Sequence, residues 1–354
     1  MARSGKLDRA ATVALKEVLA LREGEEVLIA TNPDKEAFAV AMAYYEAALE
    51  AGGKPTIMAS QARDRLALAD RLTLEAMKAL PDVFLGVWLK MAGQDPVGTT
   101  IGYVGRDGKK YESLAFKQTW GDRRMRGFFS ALTTRDLVQR LVPIDYAALR
   151  RRAGALKAIL DRGEEIRVTS PAGTDVRVSI AGRAALLDDG DLTVPGKMAN
   201  LPCGETYISP ALGGTEGTVV FDGSITLLDR SVVPRVPVHV TFRDGFVQSV
   251  TGGPVAKELL AAIRQGERMA RDLGLGAEEK NARHLGEFGI GLNPNARPTA
   301  NLMEAEKAWR TVHFAIGANF DNDAPALIHQ DCLVLGPSLW VDGRQIMRDG
   351  DLLL

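Results

Sequence analysis

The chain has 354 residues, 46% hydrophobic and 25% charged, which is enough for two globular domains with sizeable cores. Its formal net charge of −1 supplies no global attraction to nucleic acid or to an anionic membrane surface, and no apolar run is long enough for a transmembrane helix. The N-terminus lacks the apolar core and cleavage site of a signal peptide. Cys203 and Cys332 lie far apart, so a reduced, cytoplasmic chain is expected, with one disulfide as the alternative.

Residues 6–22 carry apolar positions at helical spacing, at Leu7, Ala11, Leu15 and Leu19. Glu25 to Thr31 (EEVLIAT) reads as a buried strand. Asn32-Pro33-Asp34 supplies cap chemistry for a helix over 35–51, which Gly52-Gly53 closes. Pro55 to Ala59 and Val83 to Leu89 are two further strands. Strands alternating with helices imply parallel βαβ units, hence an open α/β domain with a parallel sheet over residues 1–143. Residues 90–127, with scattered Arg123, Arg124 and Arg126, read as a long solvated loop or, alternatively, as a substrate or subunit contact.

From residue 165 the pattern changes. IRVTSPAGTDVRVSIAG predicts a hairpin around Pro171-Ala172-Gly173. Further strand-like runs, separated by Asp-Gly and Gly-Arg turns, follow to the C-terminus, and one helix over about 254–273 interrupts them. Residues 144–354 are therefore expected to form a β-rich α+β domain that carries the catalytic, metal-binding site.

All four histidines, His239, His284, His313 and His329, fall in that second half. His329 and Asp331 (IHQD) share one face if they lie on a strand, as a ligand pair or as a hydrogen-bonded structural pair. In TVHFAIG, His313 sits on the face opposite Val312, Phe314 and Ile316, which suits a cleft or a satisfied core position. Glu287 in LGEFGIGLNPNA and Glu205 in LPCGETY lie among glycines and apolar residues, where a carboxylate is costly to bury unless paired or metal-bound. Glu306 precedes His313. Glu216 in GGTEG is a further candidate or a turn residue. Glu205, Glu287, Glu306, His313, His329 and Asp331 form a set too acidic for a structural zinc site. It suits two divalent ions about 3.5–4 Å apart.

The ordered series GE, LGE, EK…TVHFAIG and IHQD resembles the aminopeptidase T family of metallo-aminopeptidases. The resemblance implies two divalent metal ions (Zn, Co or Mn) held by Glu205, Glu287, Glu306, His313, His329 and Asp331, with Glu304 an alternative to Glu306. It further implies a catalytic role for Glu287, a small peptide or amide substrate and a homodimer. The chain departs from that family at Phe320, where the aminopeptidases carry a tyrosine. A phenyl ring cannot donate a hydrogen bond to an oxyanion, and Tyr207 is a substitute donor. The same segments resemble 2,5-dihydroxypyridine 5,6-dioxygenase, whose single Fe(II) is held by two histidines and one aspartate. There the HxD pair corresponds to His329 and Asp331, and Glu287 stands where the other histidine is found. A metal-dependent aminopeptidase is the expected activity. An Fe(II) ring-cleaving dioxygenase and a non-catalytic binding protein on the same scaffold are the alternatives. His284 is a candidate contact to a ligand, and the cysteines are small buried residues, soft metal ligands or a disulfide.

Overall fold

The computed structural model describes residues 5–63, 67–90 and 92–354. The chain separates into two compact units, Met1–Tyr146 with Gly190–Cys203, and Ala147–Asp189 with Gly204–Leu354.

The first unit is built on a five-stranded parallel sheet. Its strands run in the order Met198–Asn200, Arg126–Ser130, Val83–Val87, Glu26–Thr31 and Lys54–Ala59. The central Glu26–Thr31 and Val83–Val87 strands are buried nearly throughout, as parallel strands covered on both faces must be. The Lys35–Glu50 helix starts where Asp34 accepts from the backbone N–H groups of Glu36 and Ala37, and it buries Val40, Ala41, Tyr44 and Ala48. The N-terminal helix is shorter than the spacing predicts. Lys6–Val13 is α-helical, and the chain widens into a π-turn over Ala14–Val18.

Residues 90–127 are not the solvated loop that their composition suggests. Apart from Met91, which lies outside the described residues, they are ordered around buried Asp95. One Asp95 oxygen caps the Pro96–Thr100 helix and meets the Tyr103 hydroxyl; the other accepts from Leu114 N–H. Arg126 is likewise no surface cation. It opens the fourth parallel strand fully buried, with its guanidinium forked onto Glu25 at 2.7 and 2.8 Å. A planar fork onto a carboxylate is the geometry that lets an arginine be buried.

The second unit holds two antiparallel sheets. One has eight strands and includes the expected hairpin of Glu165–Thr169 and Asp175–Ser179. The other has seven, in the order Ser231–Val232, Ile225–Thr226, His329–Leu335, Thr311–Gly317, Leu285–Gly291, Glu205–Ile208 and Leu186–Asp188. The helix predicted over 254–273 is present as Gly253–Asp272.

In the seven-stranded sheet the Leu285–Gly291 and Thr311–Gly317 strands are buried at every position. Directly opposed residues of antiparallel strands share a face, and alternate residues along a strand do too. Phe288 opposes Phe314, their rings 5.2 Å apart, and Ile290 opposes Val312; this face is the apolar core. The other face receives Glu287, Gly289, His313 and Ala315. A bulge interrupts the alternation. Leu285 pairs with Ile316 and Glu287 with Ala315, so three residues on one strand oppose two on the next. Leu285 therefore enters the core while Glu287, only two residues on, turns to the opposite face. No helix among the described residues is long and apolar enough to cross a membrane.

Candidate metal centre

The polar face of the seven-stranded sheet is arranged in rows across the strands. One row runs from Asp188 to Glu205 to Gly291, and the next from Tyr207 through Gly289 and His313 to Leu333. A third runs from Glu287 through Ala315 to Asp331, and His329 opposes Gly317. Small residues alternate with donors, and that spacing lets long polar side chains lie over the sheet. A Cβ at Gly289 would fall 2.1 Å from His313 Nε2, so the absence of a side chain there is what admits the imidazole.

His313 Nε2 lies 2.9 Å from Glu287 Oε1 and 3.3 Å from Glu205 Oε2. His329 Nε2 lies 3.3 Å from Glu287 Oε2 and 3.4 Å from Asp331 Oδ1. Two donor groups result, Glu205–Glu287–His313 and Glu287–His329–Asp331, each with its ligand atoms within 4.8 Å of one another, and Glu287 belongs to both. His329 Nδ1 is 2.9 Å from the Ala318 carbonyl. That bond engages Nδ1 and leaves Nε2 facing the carboxylates, which is the orientation a metal-binding histidine requires.

The electrostatics match the geometry. Burial disfavours the charged form of every member. Burial would lower His313, but its hydrogen bond to Glu287 and the charges of Glu205, Glu287 and Asp331 push it up to about 9. His329 is raised well above the ordinary range against the same penalty, by Asp331 and Glu287. Glu287 is held below the usual carboxylate value, because the two imidazoles outweigh its burial. Burial raises Glu205, with Lys307 and His313 opposing. Burial and the charges of Glu205 and Asp331 bring Glu306 up to about 7, although Lys307 pulls the other way.

All six sequence-predicted residues come together on or beside this face. Glu306 does so differently from the other five. It follows the short Leu302–Ala305 helix and pairs with Lys307 Nζ at 2.5 Å. Glu304, its alternative, turns the other way and accepts from Arg297 N–H and the Thr299 hydroxyl. Glu216 is neither a ligand nor a turn residue: it lies exposed on the Thr215–Phe221 strand, opposite Arg177, and accepts from Asp244 N–H. His239 is exposed on the eight-stranded sheet, and His284 packs edge-on against Phe246 rather than against a ligand. Cys203 and Cys332 are buried and not joined in a disulfide, and neither belongs to a group of converging ligand atoms among the described residues, which leaves the reading as small buried residues.

Sequence reading missed Lys307 and Asp188. Lys307 is fully buried, with Nζ 2.7 Å from Glu205 Oε1 and 3.3 Å from Asp188 Oδ2. The EK pair held the signal for Lys307. Asp188, at the sheet edge, has no local signal in ALLDDGD. Five carboxyl groups, Asp188, Glu205, Glu287, Glu306 and Asp331, are thus buried together, and three of them, Asp188, Glu205 and Glu306, meet the one ammonium. So many acids are expensive to keep charged in a protein interior without further cations. Divalent ions would supply that charge, so the donor set fits metal.

Two aromatic rings flank the face. Phe320, half-exposed on the loop before His329, lies 5.5 Å from the His329 ring and 5.1 Å from Tyr207, edge-on to each. Tyr207, opposite Gly289, has its phenol pushed far up by burial and by Glu287, Glu205 and Asp188, so it keeps its proton.

Among solved structures the chain is similar to 2,5-dihydroxypyridine dioxygenase from Pseudomonas putida KT2440. The TM-score is 0.73 at 17% identity, covering 99% of this chain and 98% of that one. It is also similar to AmpT from Thermus thermophilus, with a TM-score of 0.63 at 16% identity and 99% of each chain covered. At these identities both establish a shared fold, and the aminopeptidase T resemblance holds at that level. No curated protein sequence matches the chain. The family model NicX, 2,5-dihydroxypyridine 5,6-dioxygenase, matches residues 124–354, a span that includes every donor described above. By that match over well over half its length, the chain belongs to the 2,5-dihydroxypyridine 5,6-dioxygenase family.

Proposed function

We propose that the protein is a metal-dependent hydrolase that cleaves N-terminal peptide or amide bonds at a centre for two divalent ions. The carrying observation is Glu287. One carboxylate shared by two donor groups, with a histidine at each of its oxygens, is the arrangement that places two ions side by side. Zn, Co and Mn suit the mixture of imidazole and carboxylate. A divalent pair bound there would supply an activated water and a Lewis acid for the scissile carbonyl.

The chain's own residues supply the remainder. Glu205 and His313 would hold one ion, His329 and Asp331 the other, and Glu287 both. The Ala318 carbonyl fixes the His329 ring. Glu287, kept ionised by the two histidines, keeps its negative charge between the two donor groups. Tyr207, protonated and on the same face, is the hydroxyl donor nearest in role to the tyrosine that Phe320 replaces.

A second reading is favoured by the family match and by Phe320: opening of a hydroxylated heteroaromatic ring at one Fe(II) held by Glu287, His329 and Asp331. The Phe320 ring beside His329 offers an edge or face to a planar substrate. The donor set is the reason to place this second, since its facial group has one histidine and two carboxylates.

The deciding experiment measures metal per chain by elemental analysis and cleavage of aminoacyl-arylamides after Zn, Co or Mn loading, for wild type and Glu287→Ala. About two ions per chain, lost with amide cleavage in the variant, support the hydrolase. One iron per chain, with oxygen uptake on dihydroxypyridines and no amide cleavage, replaces it with the second reading.

A further inference from the structure

Lys307 is assigned no role by the resemblance that suggests the metal ligands, yet it lies fully buried in the cluster. Its side chain is fully buried, and its ammonium meets one oxygen each of Glu205, Glu306 and Asp188. Glu205 Oε1 and Glu306 Oε1 accept hydrogen bonds from it, and Asp188 Oδ2 lies 3.3 Å away as an ion-pair partner. The two oxygens of Glu205 have different partners. Oε1 lies against Lys307 and Oε2 against His313. Neither Glu306 nor Asp188 joins a group of converging ligand atoms.

We propose that Lys307 is a built-in third cation of the centre, a positioning residue that holds Glu306 and Asp188 away from the metals and presents only Oε2 of Glu205 to them. The inference rests on the reading of the site as a metal centre and corrects its ligand list, because Glu306 becomes a partner of lysine and not of metal. It also places one positive charge among Asp188, Glu205 and Glu306 before any ion arrives. The remaining ligands are Glu205 through one oxygen, Glu287, His313, His329 and Asp331.

Two variants of the full-length protein test this, with Mn2+ as the probe and bound ions per chain as the readout. Glu306→Gln is expected to bind as many Mn2+ ions as wild type, and a lower number overturns the proposal by making Glu306 a ligand. Lys307→Ala leaves three buried carboxylates around a vacated space. It is expected to bind one Mn2+ more than wild type and to gain thermal stability on Mn2+ addition more steeply than wild type, while Lys307→Arg keeps the wild-type number. An unchanged number in a folded Lys307→Ala overturns the proposal. If that variant does not fold, Glu306→Gln decides. Failure of the proposed function reads differently, as a metal-loaded wild type without amide cleavage, and leaves the ion counts to be compared.

Discussion

Gly289 lies directly opposite His313 in the antiparallel ladder, and the imidazole occupies the space that a side chain at 289 would fill. Gly289→Ala adds a single methyl group at 2.1 Å from Nε2, so the ring must swing away from Glu205 and Glu287. The expected result is a loss of about 10–100-fold in metal affinity, the scale seen when ligand orientation is disturbed. Overpacking should cost about 1–3 kcal/mol of stability as well. Titration calorimetry and thermal denaturation check both. Unchanged affinity would remove His313 from the ligand set.

The two histidines serve different halves of the centre. His313→Gln and His329→Gln should each reduce the ion count by about one, whereas Glu287→Gln should reduce it by about two, because only Glu287 touches both halves. Elemental analysis after dialysis gives the numbers. Equal losses in all three variants would indicate a single ion and move the assignment to the dioxygenase chemistry.

Phe320→Tyr introduces a hydroxyl on the ring that packs against His329 and Tyr207. If the proposed hydrolysis develops an oxyanion there, the variant should raise kcat for arylamide cleavage by about 10–100-fold, somewhat less than the value of an optimised oxyanion donor. KM should change little. A fall in kcat with a rise in KM would instead mark Phe320 as an apolar wall for the substrate.

His284 carries a pH signature of its own. Burial lowers it from the ordinary value to about 4, with Arg183 and Lys280 adding to the shift and Asp323 opposing it. The unfolded chain therefore takes up this proton first as pH falls. Stability from His284 is complete above about 6.5, declines as pH drops and is gone below about 4, a change of about 3 kcal/mol across the window. His284→Phe keeps the edge contact to Phe246 and removes the titration. Denaturant unfolding at pH 7.5 and pH 4.5 should show a smaller difference for the variant than for wild type. An equal difference would place the acid sensitivity elsewhere.

The sequence makes the parallel sheet legible through EEVLIAT and VFLGV, because buried parallel strands are short apolar runs between cap and turn residues, while PTIMA, at the sheet edge, is only partly covered. The side-by-side placement of His329 and Asp331, and the outward face of His313, follow from strand alternation alone. Local pattern ends there. Arg126 reads as one of several loop cations until Glu25, about a hundred positions earlier, is seen against it. Asp188 and Lys307 join the centre only through pairings with distant strands and a loop. The return of residues 190–203 to the parallel sheet has no signature beyond a proline- and glycine-bearing stretch. Polarity without periodicity likewise conceals the order that Asp95 imposes on residues 95–114.

The bulge at Leu285–Glu287 carries a consequence for how this strand can vary. Along a strand, odd and even positions belong to different environments, and here the count is reset by one extra residue. Without Gly286 the strand would set two residues against two, Leu285 against Ile316 and Glu287 against Ala315, and plain alternation would give the leucine and the acid the faces they already hold. The extra position therefore changes the path of the strand and not the assignment of its faces. It is also closed to side chains, because a Cβ at 286 would stand 2.2 Å from the Ala318 carbonyl oxygen, so the bulge is tied to glycine.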